Sequence, residues 1–170
     1  MRLAPTPILT GHTVPLAGGL PGVLQTLGAM RALVSAYRVH PTIRQAATSA
    51  AFLTPERDEF SECRAVFQYV RDSIRYIRDV HDVETLSTPD KTLHGMIGDC
   101  DDQTTLLCAM FESVGYPTRF VVAGYSDPRQ FDHVYCQVFA CGQWIDCDPT
   151  EHHPFGWSPP DPYCIAFENV

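Results

Sequence analysis

The sequence predicts an α+β fold, in which N-terminal helices pack on an antiparallel β-sheet. Apolar residues at helical spacing occupy the first part of the 170-residue chain, and patterns typical of strands follow one another in the second part. Helices followed by a run of strands favour an antiparallel sheet over alternating βαβ units. A chain of this length can bury the core of one domain.

Three helix patterns come first. They are expected over residues 20–37, 42–52 and about 55–77. His40-Pro41 separates the first two, since the residue before proline avoids the helical region. Thr54-Pro55 resembles an N-cap followed by proline at the first helical position, which predicts the start of the third helix.

The chain is expected to form one compact unit with two parts. Residues 1–52 would be an N-terminal arm with its helices, serving as a docking arm, a cleft cover or an oligomerisation element, and residues 53–170 would form the main domain. Pro and Gly before about residue 21 predict an extended segment and argue against an independent N-terminal domain. Residues 78–98 form a long polar connection containing Pro89, and such loops often serve as the wall of a cleft.

The second half begins with a helix over 100–114, which Gly115-Tyr116-Pro117 ends. Strands are then expected over 119–123, 132–140 and 143–148, the last two forming a hairpin. The tail after Pro149 is rich in Pro and aromatic residues and is expected to pack as loop.

The hairpin pattern predicts which side chains share a face. If Cys141-Gly142 are the two turn residues, Ala140 pairs with Gln143 and Cys136 lies opposite Cys147 on a core face. On the other face, His133 lies one diagonal step from Asp148, within side-chain reach. A register slip of one residue would move Asp148 to the other face.

Composition limits the partners and the compartment. A formal charge of −8 argues against nucleic acid or an anionic membrane as the main partner. No signal peptide or membrane-spanning segment is apparent, so a cytoplasmic location is expected. Seven cysteines without a small-scaffold spacing are expected to be reduced thiols, Cys136 and Cys147 among them.

Cys100 is the candidate nucleophile, because a helix N-terminus and a nearby imidazolium both stabilise a thiolate. Cys100, His133 and Asp148 follow in the order needed for a thiolate with an oriented base. The flanking acids Asp99, Asp101 and Asp102 work against ionisation, because negative charge raises a thiol pKa. Asp101 and Asp102 are interpreted chiefly as caps of the first helical turn.

These motifs form a recognisable set. It comprises Gly98-Asp99-Cys100-Asp101-Asp102, Leu106-Leu107, Gly115-Tyr116-Pro117-Thr118-Arg119, Asp132-His133-Val134 and Trp144-Ile145-Asp146-Cys147-Asp148-Pro149-Thr150. The set resembles the transglutaminase-like superfamily, whose core is similar to that of papain-type cysteine peptidases. The resemblance covers about residues 60–152 and implies a papain/transglutaminase-like fold. The Gly-Asp-Cys-Asp-Asp form is similar to small proteins of phages and prophages, which makes a virion-associated location a second expectation.

The resemblance implies a Cys-His-Asp triad of Cys100, His133 and Asp148. Cys100 would attack an amide carbonyl and form a thioester, with His133 activating the thiol and protonating the leaving amine. Asp148 would fix the tautomer of the imidazole. Water would complete hydrolysis, or an amine would complete transamidation.

Several groups in the sequence are candidate donors for the oxyanion hole. The backbone amide of Cys100 is one natural donor. His94, Gln103 and Tyr76 are the side-chain candidates, and no glutamine stands where papain-like enzymes would place one. Asp146 is the alternative acid if Asp148 is only a turn residue before proline.

Three function classes follow from the resemblance. The first is a cysteine peptidase or amidase acting on a protein, peptide or peptidoglycan-like amide, and small members of the superfamily favour it. The second is an acyltransferase that cross-links glutamine and lysine side chains. The third is a non-catalytic binding or virion assembly protein. A protein or peptide substrate is expected, the oligomeric state is not indicated, and no cofactor is expected.

Two metal sites are weaker alternatives. Cys141, Cys147, His152 and His153 match no paired C-x-x-C zinc module. The acids at 99–102 lack the spaced ligands and closing glutamate of a calcium loop. No bound metal is therefore expected.

Overall fold

The computed structural model describes residues 15–78 and 85–170. The helices in this part of the chain are α1 (Leu20–Tyr37), α2 (Pro41–Ala51), α3 (Glu59–Ser73), α4 (Pro89–Gly95) and α5 (Cys100–Ser113). The strands are β1 (Arg75–Tyr76), β2 (Ile97–Gly98), β3 (Thr118–Gly124), β4 (His133–Ala140), β5 (Gln143–Cys147) and β6 (Cys164–Asn169). Helices followed by an antiparallel sheet confirm the predicted α+β class.

The main sheet has the strand order β5-β4-β3-β6, and all of its neighbours are antiparallel. Its inner face packs on α5, which is buried from Asp101 to Phe111. β1 and β2 form a separate parallel pair, and β2 directly precedes the N-cap residue of α5. α5 therefore begins where the chain leaves β2 and enters the core.

The hairpin between β4 and β5 has the predicted register. Cys141 and Gly142 both have positive φ, at 53° and 74°, as a two-residue type I′ turn requires. Ala140 pairs with Gln143 and Cys136 with Cys147. Both cysteines are buried free thiols, which agrees with the expectation of reduced thiols.

The third helix starts later than predicted. Its N-cap is Asp58, whose carboxylate accepts a hydrogen bond from the Ser61 backbone N–H at 3.0 Å. The Thr54 hydroxyl instead donates to the Ala51 carbonyl at 2.7 Å and closes the end of α2. The prediction of an N-cap at Thr54-Pro55 is wrong, because two acceptable capping residues lie four positions apart and only tertiary structure selects one.

Two segments predicted as loop contain regular structure. The connection 78–98 includes α4 and β2, and its residues 79–84 lie outside the described residues. The tail includes β6, which pairs with β3 at the edge of the sheet. The side chains of β6 alternate between less and more exposed positions, as on an edge strand, but the prolines before it obscure the pattern.

The N-terminal helices share the core of the sheet. Leu27 and Met30 of α1 and Ile43 of α2 are buried in the same cluster as α5. The boundary between residues 52 and 53 stays a prediction, and residues 1–14 of the expected arm lie outside the described residues. None of the helices in the described ranges combines the length and apolar character that crossing a bilayer requires.

Candidate active site

Cys100 is the first residue of α5, directly after the N-cap residue Asp99. The Asp99 carboxylate accepts from the Asp102 backbone N–H at 3.2 Å. Gly98 precedes this cap, and a Cβ there would lie 2.7 Å from the Cβ of Asp102. Glycine is therefore needed at 98 to let β2 approach the first turn, which fixes where the Cys100 backbone enters the helix.

Asp99 is the N-cap residue of α5, and Asp101 and Asp102 lie in its first turn. The Asp102 carboxylate accepts from the Ser87 backbone N–H at 2.6 Å and so ties α5 to the segment before α4. Asp101 accepts a hydrogen bond from the Cys100 thiol, with Sγ and Oδ1 3.4 Å apart.

His133 and Asp148 form a hydrogen bond, with which the predicted hairpin register is compatible. The imidazole Nε2 lies 2.7 Å from Asp148 Oδ2, and the Asp148 side chain is fully buried. The other oxygen, Oδ1, accepts from the backbone N–H and the hydroxyl of Thr150, at 3.0 and 2.7 Å. Because Nε2–H donates to the carboxylate in the neutral ring, Nδ1 is the nitrogen that can accept a proton.

Cys100 and His133 line one cavity of about 670 Å³. Val134, the residue after His133, makes a backbone hydrogen bond to the Cys100 thiol. The start of β4 therefore holds both the imidazole and a contact to the sulfur. Asp99, Asp101 and Asp132 also line this cavity, so its polar side is acidic.

The surroundings of Cys100 disfavour the ionised form of its thiol. Burial raises the pKa of Cys100 well above its ordinary value, and the carboxylates of Asp101 and Asp99 raise it further. The hydrogen bond from Val134 lowers the pKa but does not reverse the shift. The predicted opposing effect of the acids is confirmed for Asp99 and Asp101.

The sequence model of the transglutaminase-like superfamily matches residues 46–149, which include Cys100, His133 and Asp148. The chain belongs to the transglutaminase-like superfamily. No curated protein sequence is significantly similar to it. Solved structures of low sequence identity nevertheless share its fold.

Two solved structures illustrate the shared fold. A "Putative Cysteine Protease from Cytophaga hutchinsonii" aligns with a TM-score of 0.57 and 16% identity, over 82% of this chain and 47% of its own. A "putative protease from Parabacteroides distasonis" aligns with a TM-score of 0.55 and 14% identity, over 76% of this chain and 26% of its own. The present chain thus spans less than half the length of either structure.

Among the side chains predicted for the oxyanion hole of this superfamily member, Tyr76 lines the cavity together with Cys100. Burial raises the pKa of its hydroxyl, and the Cys100 sulfur raises it further, so the group is a protonated donor at neutral pH. Gln103 is fully buried and its Nε2 donates to the Gly98 carbonyl at 3.1 Å. Gln103 and His94, which lies in the last turn of α4, are not among the residues that line the cavity.

Asp146, the alternative acid, has different partners from Asp148. Its carboxylate accepts from Gln137 Nε2 at 2.7 Å and from the Ser158 hydroxyl at 3.2 Å. The acid that contacts His133 is therefore Asp148, two residues further along the chain.

Several residues at the site were not predicted. Asp132 fastens the loop before His133, since its carboxylate accepts from the backbone N–H groups of Tyr125 and Ser126 at 2.9 and 3.0 Å. Its place directly before His133 was visible in the motif, but its role was not. Residues of α1 also line the cavity, and no sequence signal connects that helix with Cys100.

Within residues 15–78 and 85–170, no group of three or more His, Cys, Asp or Glu side chains is arranged to hold a metal ion. Cys147 is buried in the core, whereas Cys141 is exposed in the hairpin turn. His153 stacks on Trp157 with ring centroids 3.7 Å apart. The residues of the weaker zinc alternative are thus distributed over different environments.

Proposed function

We propose that this transglutaminase-like protein is a cysteine peptidase or amidase, with Cys100 as nucleophile, His133 as base and acid, and Asp148 as the group that orients His133. The observation that carries the proposal is the 2.7 Å contact between His133 Nε2 and a fully buried Asp148. This contact leaves Nδ1 of His133 for the thiol in the cavity that Cys100 also lines.

Acylation would begin with a proton transfer from the Cys100 thiol to His133 Nδ1 as the sulfur attacks the amide carbonyl carbon. A bond between sulfur and carbon forms, and the carbonyl electrons move to oxygen. When the carbonyl re-forms, the carbon–nitrogen bond breaks and Nδ1–H protonates the leaving amine. A thioester on Cys100 and a free amine result.

Deacylation would reverse these roles with water. His133 takes a proton from water, whose oxygen attacks the thioester carbonyl. The carbon–sulfur bond breaks, the carboxylic acid leaves, and the proton returns to sulfur. Throughout both steps Asp148 keeps the proton on Nε2, because its oxygens are fixed by His133 and Thr150.

The raised pKa of Cys100 makes base assistance essential. A resting ion pair of thiolate and imidazolium is disfavoured by burial and by Asp101 and Asp99. Proton transfer to His133 during attack produces the nucleophile only when a carbonyl is in place. The buried, acidic surroundings would therefore protect the thiol between turnovers.

The developing oxyanion needs donors. The first-turn amides of a helix have no intrahelical acceptor, which supports the Cys100 backbone N–H as one of them. We propose the Tyr76 hydroxyl as the second donor, because it lines the cavity and its raised pKa keeps it protonated.

Transfer of the acyl group to an amine is the second candidate. Asp99, Asp101 and Asp132 line the cavity with the guanidinium-bearing Arg78, so carboxylates outnumber cations there and favour a cationic amine such as a lysine side chain. Two structural neighbours carry the descriptions "Putative Cysteine Protease" and "putative protease", which supports hydrolysis as the first candidate.

Incubation with fluorescein-labelled casein, with and without dansylcadaverine, tests both candidates. Hydrolysis predicts smaller fluorescent peptides, and transfer predicts dansyl incorporation into intact casein. Both should disappear in Cys100→Ala and persist in Cys141→Ala, which removes an exposed thiol. Equal activity in Cys100→Ala and the wild type would refute the proposal. Loss of activity without loss of casein binding would exclude the non-catalytic alternative.

A further inference from the structure

A second set of residues around the Cys100 cavity comes from the N-terminal part of the chain. These residues are uncharged and apolar, and together we call them the apolar wall: Leu16, Val23, Leu27 and Met30. The apolar lining continues with Val122 of β3 and with Phe131 of the loop before β4. α1 lies outside residues 46–149, the range that the superfamily model matches.

The apolar wall is held by contacts within the N-terminal region. The Ala17 backbone N–H donates to Gln25 Oε1 at 2.8 Å. A Cβ at Gly22 would overlap the Ala17 carbonyl oxygen, so residues 15–19 lie directly on the first turns of α1. We call residues 15–19 the N-terminal strap. This packing positions Leu16 at the cavity while leaving 45% of it exposed.

The base of the apolar wall belongs to the core next to the nucleophile. Leu27 and Met30 are buried, and Cys100 packs against the cluster that contains them. Val23 is half-buried and faces the same cavity. The cavity thus combines an acidic side at the start of α5 with apolar surface from α1, a combination that orients a ligand by its polarity.

We propose that the apolar wall is a specificity subsite that takes an aliphatic or aromatic group of the substrate adjoining the bond that Cys100 attacks. The proposal rests on the proposed function for the identity of the nucleophile. A substrate with such a group would bury it against Val23 and Leu16. A substrate with a charged group at that position would lose this burial and be attacked more slowly.

N-alkylmaleimides probe the apolar wall without requiring turnover. A thiol adds across the maleimide double bond, so that a carbon–sulfur bond forms and the thiol proton ends on the neighbouring carbon. Rates at Cys100 are measured by peptide mass spectrometry with N-methylmaleimide and N-hexylmaleimide. Cys141 is exposed and serves as the internal reference for the intrinsic reactivity of each reagent.

The wild type should prefer the longer chain at Cys100. The hexyl-to-methyl rate ratio at Cys100 is expected to exceed that at Cys141 roughly tenfold, the effect of burying about two methylene groups. Val23→Asp should reduce this excess to near one, because it places a charge on the apolar wall. Leu24→Asp is the matched control, since Leu24 is the next residue, is exposed and does not line the cavity.

A pair of glycine variants tests the same surface without adding charge. Gly22→Ala forces the N-terminal strap away from α1. The hexyl-to-methyl rate ratio at Cys100, relative to that at Cys141, should then fall at least about threefold. Gly28→Ala makes the same change on the same helix where no atom lies within 4 Å, and it should leave the ratio unchanged. This pair decides the question if thermal unfolding shows that Val23→Asp is not folded.

The outcomes separate the subsite from the reaction. Equal rate ratios at Cys100 and Cys141 in the wild type would overturn the subsite, as would a ratio that neither Val23→Asp nor Gly22→Ala changes. A chain-length preference without casein turnover would support the subsite and refute the proposed reaction. Casein turnover without a chain-length preference would support the proposed reaction and refute the subsite. A Cys100 that reacts with neither maleimide would overturn the subsite, while casein turnover alone decides the proposed reaction.

Discussion

The cavity beside Cys100 has two differently built sides. The polar side consists of the start of α5 and the start of β4, where hydrogen bonds of 2.6 to 3.4 Å fix Asp102, Asp101 and His133. The apolar wall comes from α1 and the N-terminal strap, where apolar packing predominates and one hydrogen bond fastens Ala17. In our two proposals, the polar side performs the chemistry and the apolar wall selects the substrates on which that chemistry acts.

The two sides also differ in their relation to the superfamily. Cys100, His133 and Asp148 lie within the matched residues 46–149, and all of α1 precedes that range. Substitutions on the polar side should therefore change the rate for every substrate. Substitutions on the apolar wall should change the ranking of substrates and leave the rate for the smallest one almost unaltered.

The largest effect is expected from Cys100→Ala. Turnover of p-nitrophenyl acetate should fall by about a thousandfold or more, because the covalent intermediate cannot form. The fold should persist, since only one sulfur atom is removed, and near-UV circular dichroism checks this. Cys141→Ala should keep wild-type turnover, and a comparable loss in that variant would contradict the assignment of the nucleophile.

Asp148→Asn should be the next most severe change. An amide at this position lets His133 adopt the wrong tautomer, and the expected fall in kcat is about a thousandfold. Asp146→Asn is the matched control, because Asp146 contacts Gln137 and Ser158 instead of His133. Similar losses in the two variants would show that the carboxylates act through the packing of β5 and the tail.

Asp101→Asn should shift the reactivity of Cys100 to lower pH. Asp101 raises the pKa of the Cys100 thiol by its charge and its hydrogen bond, so removing that charge lowers the pKa. Iodoacetamide alkylation of Cys100, followed against pH, should therefore rise at lower pH in the variant than in the wild type. Asp161→Asn removes the same charge at an exposed position and should leave the profile unchanged.

Thr150→Val should have a moderate effect. The variant loses the hydroxyl that donates to Asp148 Oδ1 at 2.7 Å, while the contact between Asp148 and His133 can persist. A fall of about fivefold in kcat with unchanged KM is expected, the size of one hydrogen bond. A change in KM alone would indicate that Thr150 contacts the substrate.

Leu27→Ala should have the smallest effect on chemistry. Turnover of p-nitrophenyl acetate should stay within about twofold of wild type, because the short acyl group does not reach the apolar wall. The free energy of unfolding in urea should nonetheless fall by about 2–5 kcal/mol, since Leu27 is buried. Leu20→Ala, at an exposed position of the same helix, should change neither quantity.

The polar side could be predicted from sequence because its geometry follows from local rules. The turn at Cys141-Gly142 fixes the register of β4 and β5, and the alternation of side chains then brings His133 to Asp148. Gly98, just before the predicted helix start, likewise indicated that Cys100 lies at a helix N-terminus. These inferences span short stretches of chain and need no knowledge of which elements pack together.

The apolar wall could not be predicted because helical spacing shows a stripe but not its partner. Leu27 and Met30 are core residues by pattern, yet their place beside Cys100 depends on how α1 packs on α5. The cap of α3 is Asp58 and not Thr54, because tertiary structure decides which of two residues with suitable side chains begins the helix.

Acid-quenched mass spectrometry during turnover of p-nitrophenyl acetate tests the central claim most directly. The mechanism predicts an acetyl group on the Cys100 peptide in the wild type, formed about a hundredfold or more slowly in His133→Ala. Acetylation confined to other residues, or formation at Cys100 at the same rate without His133, would contradict it.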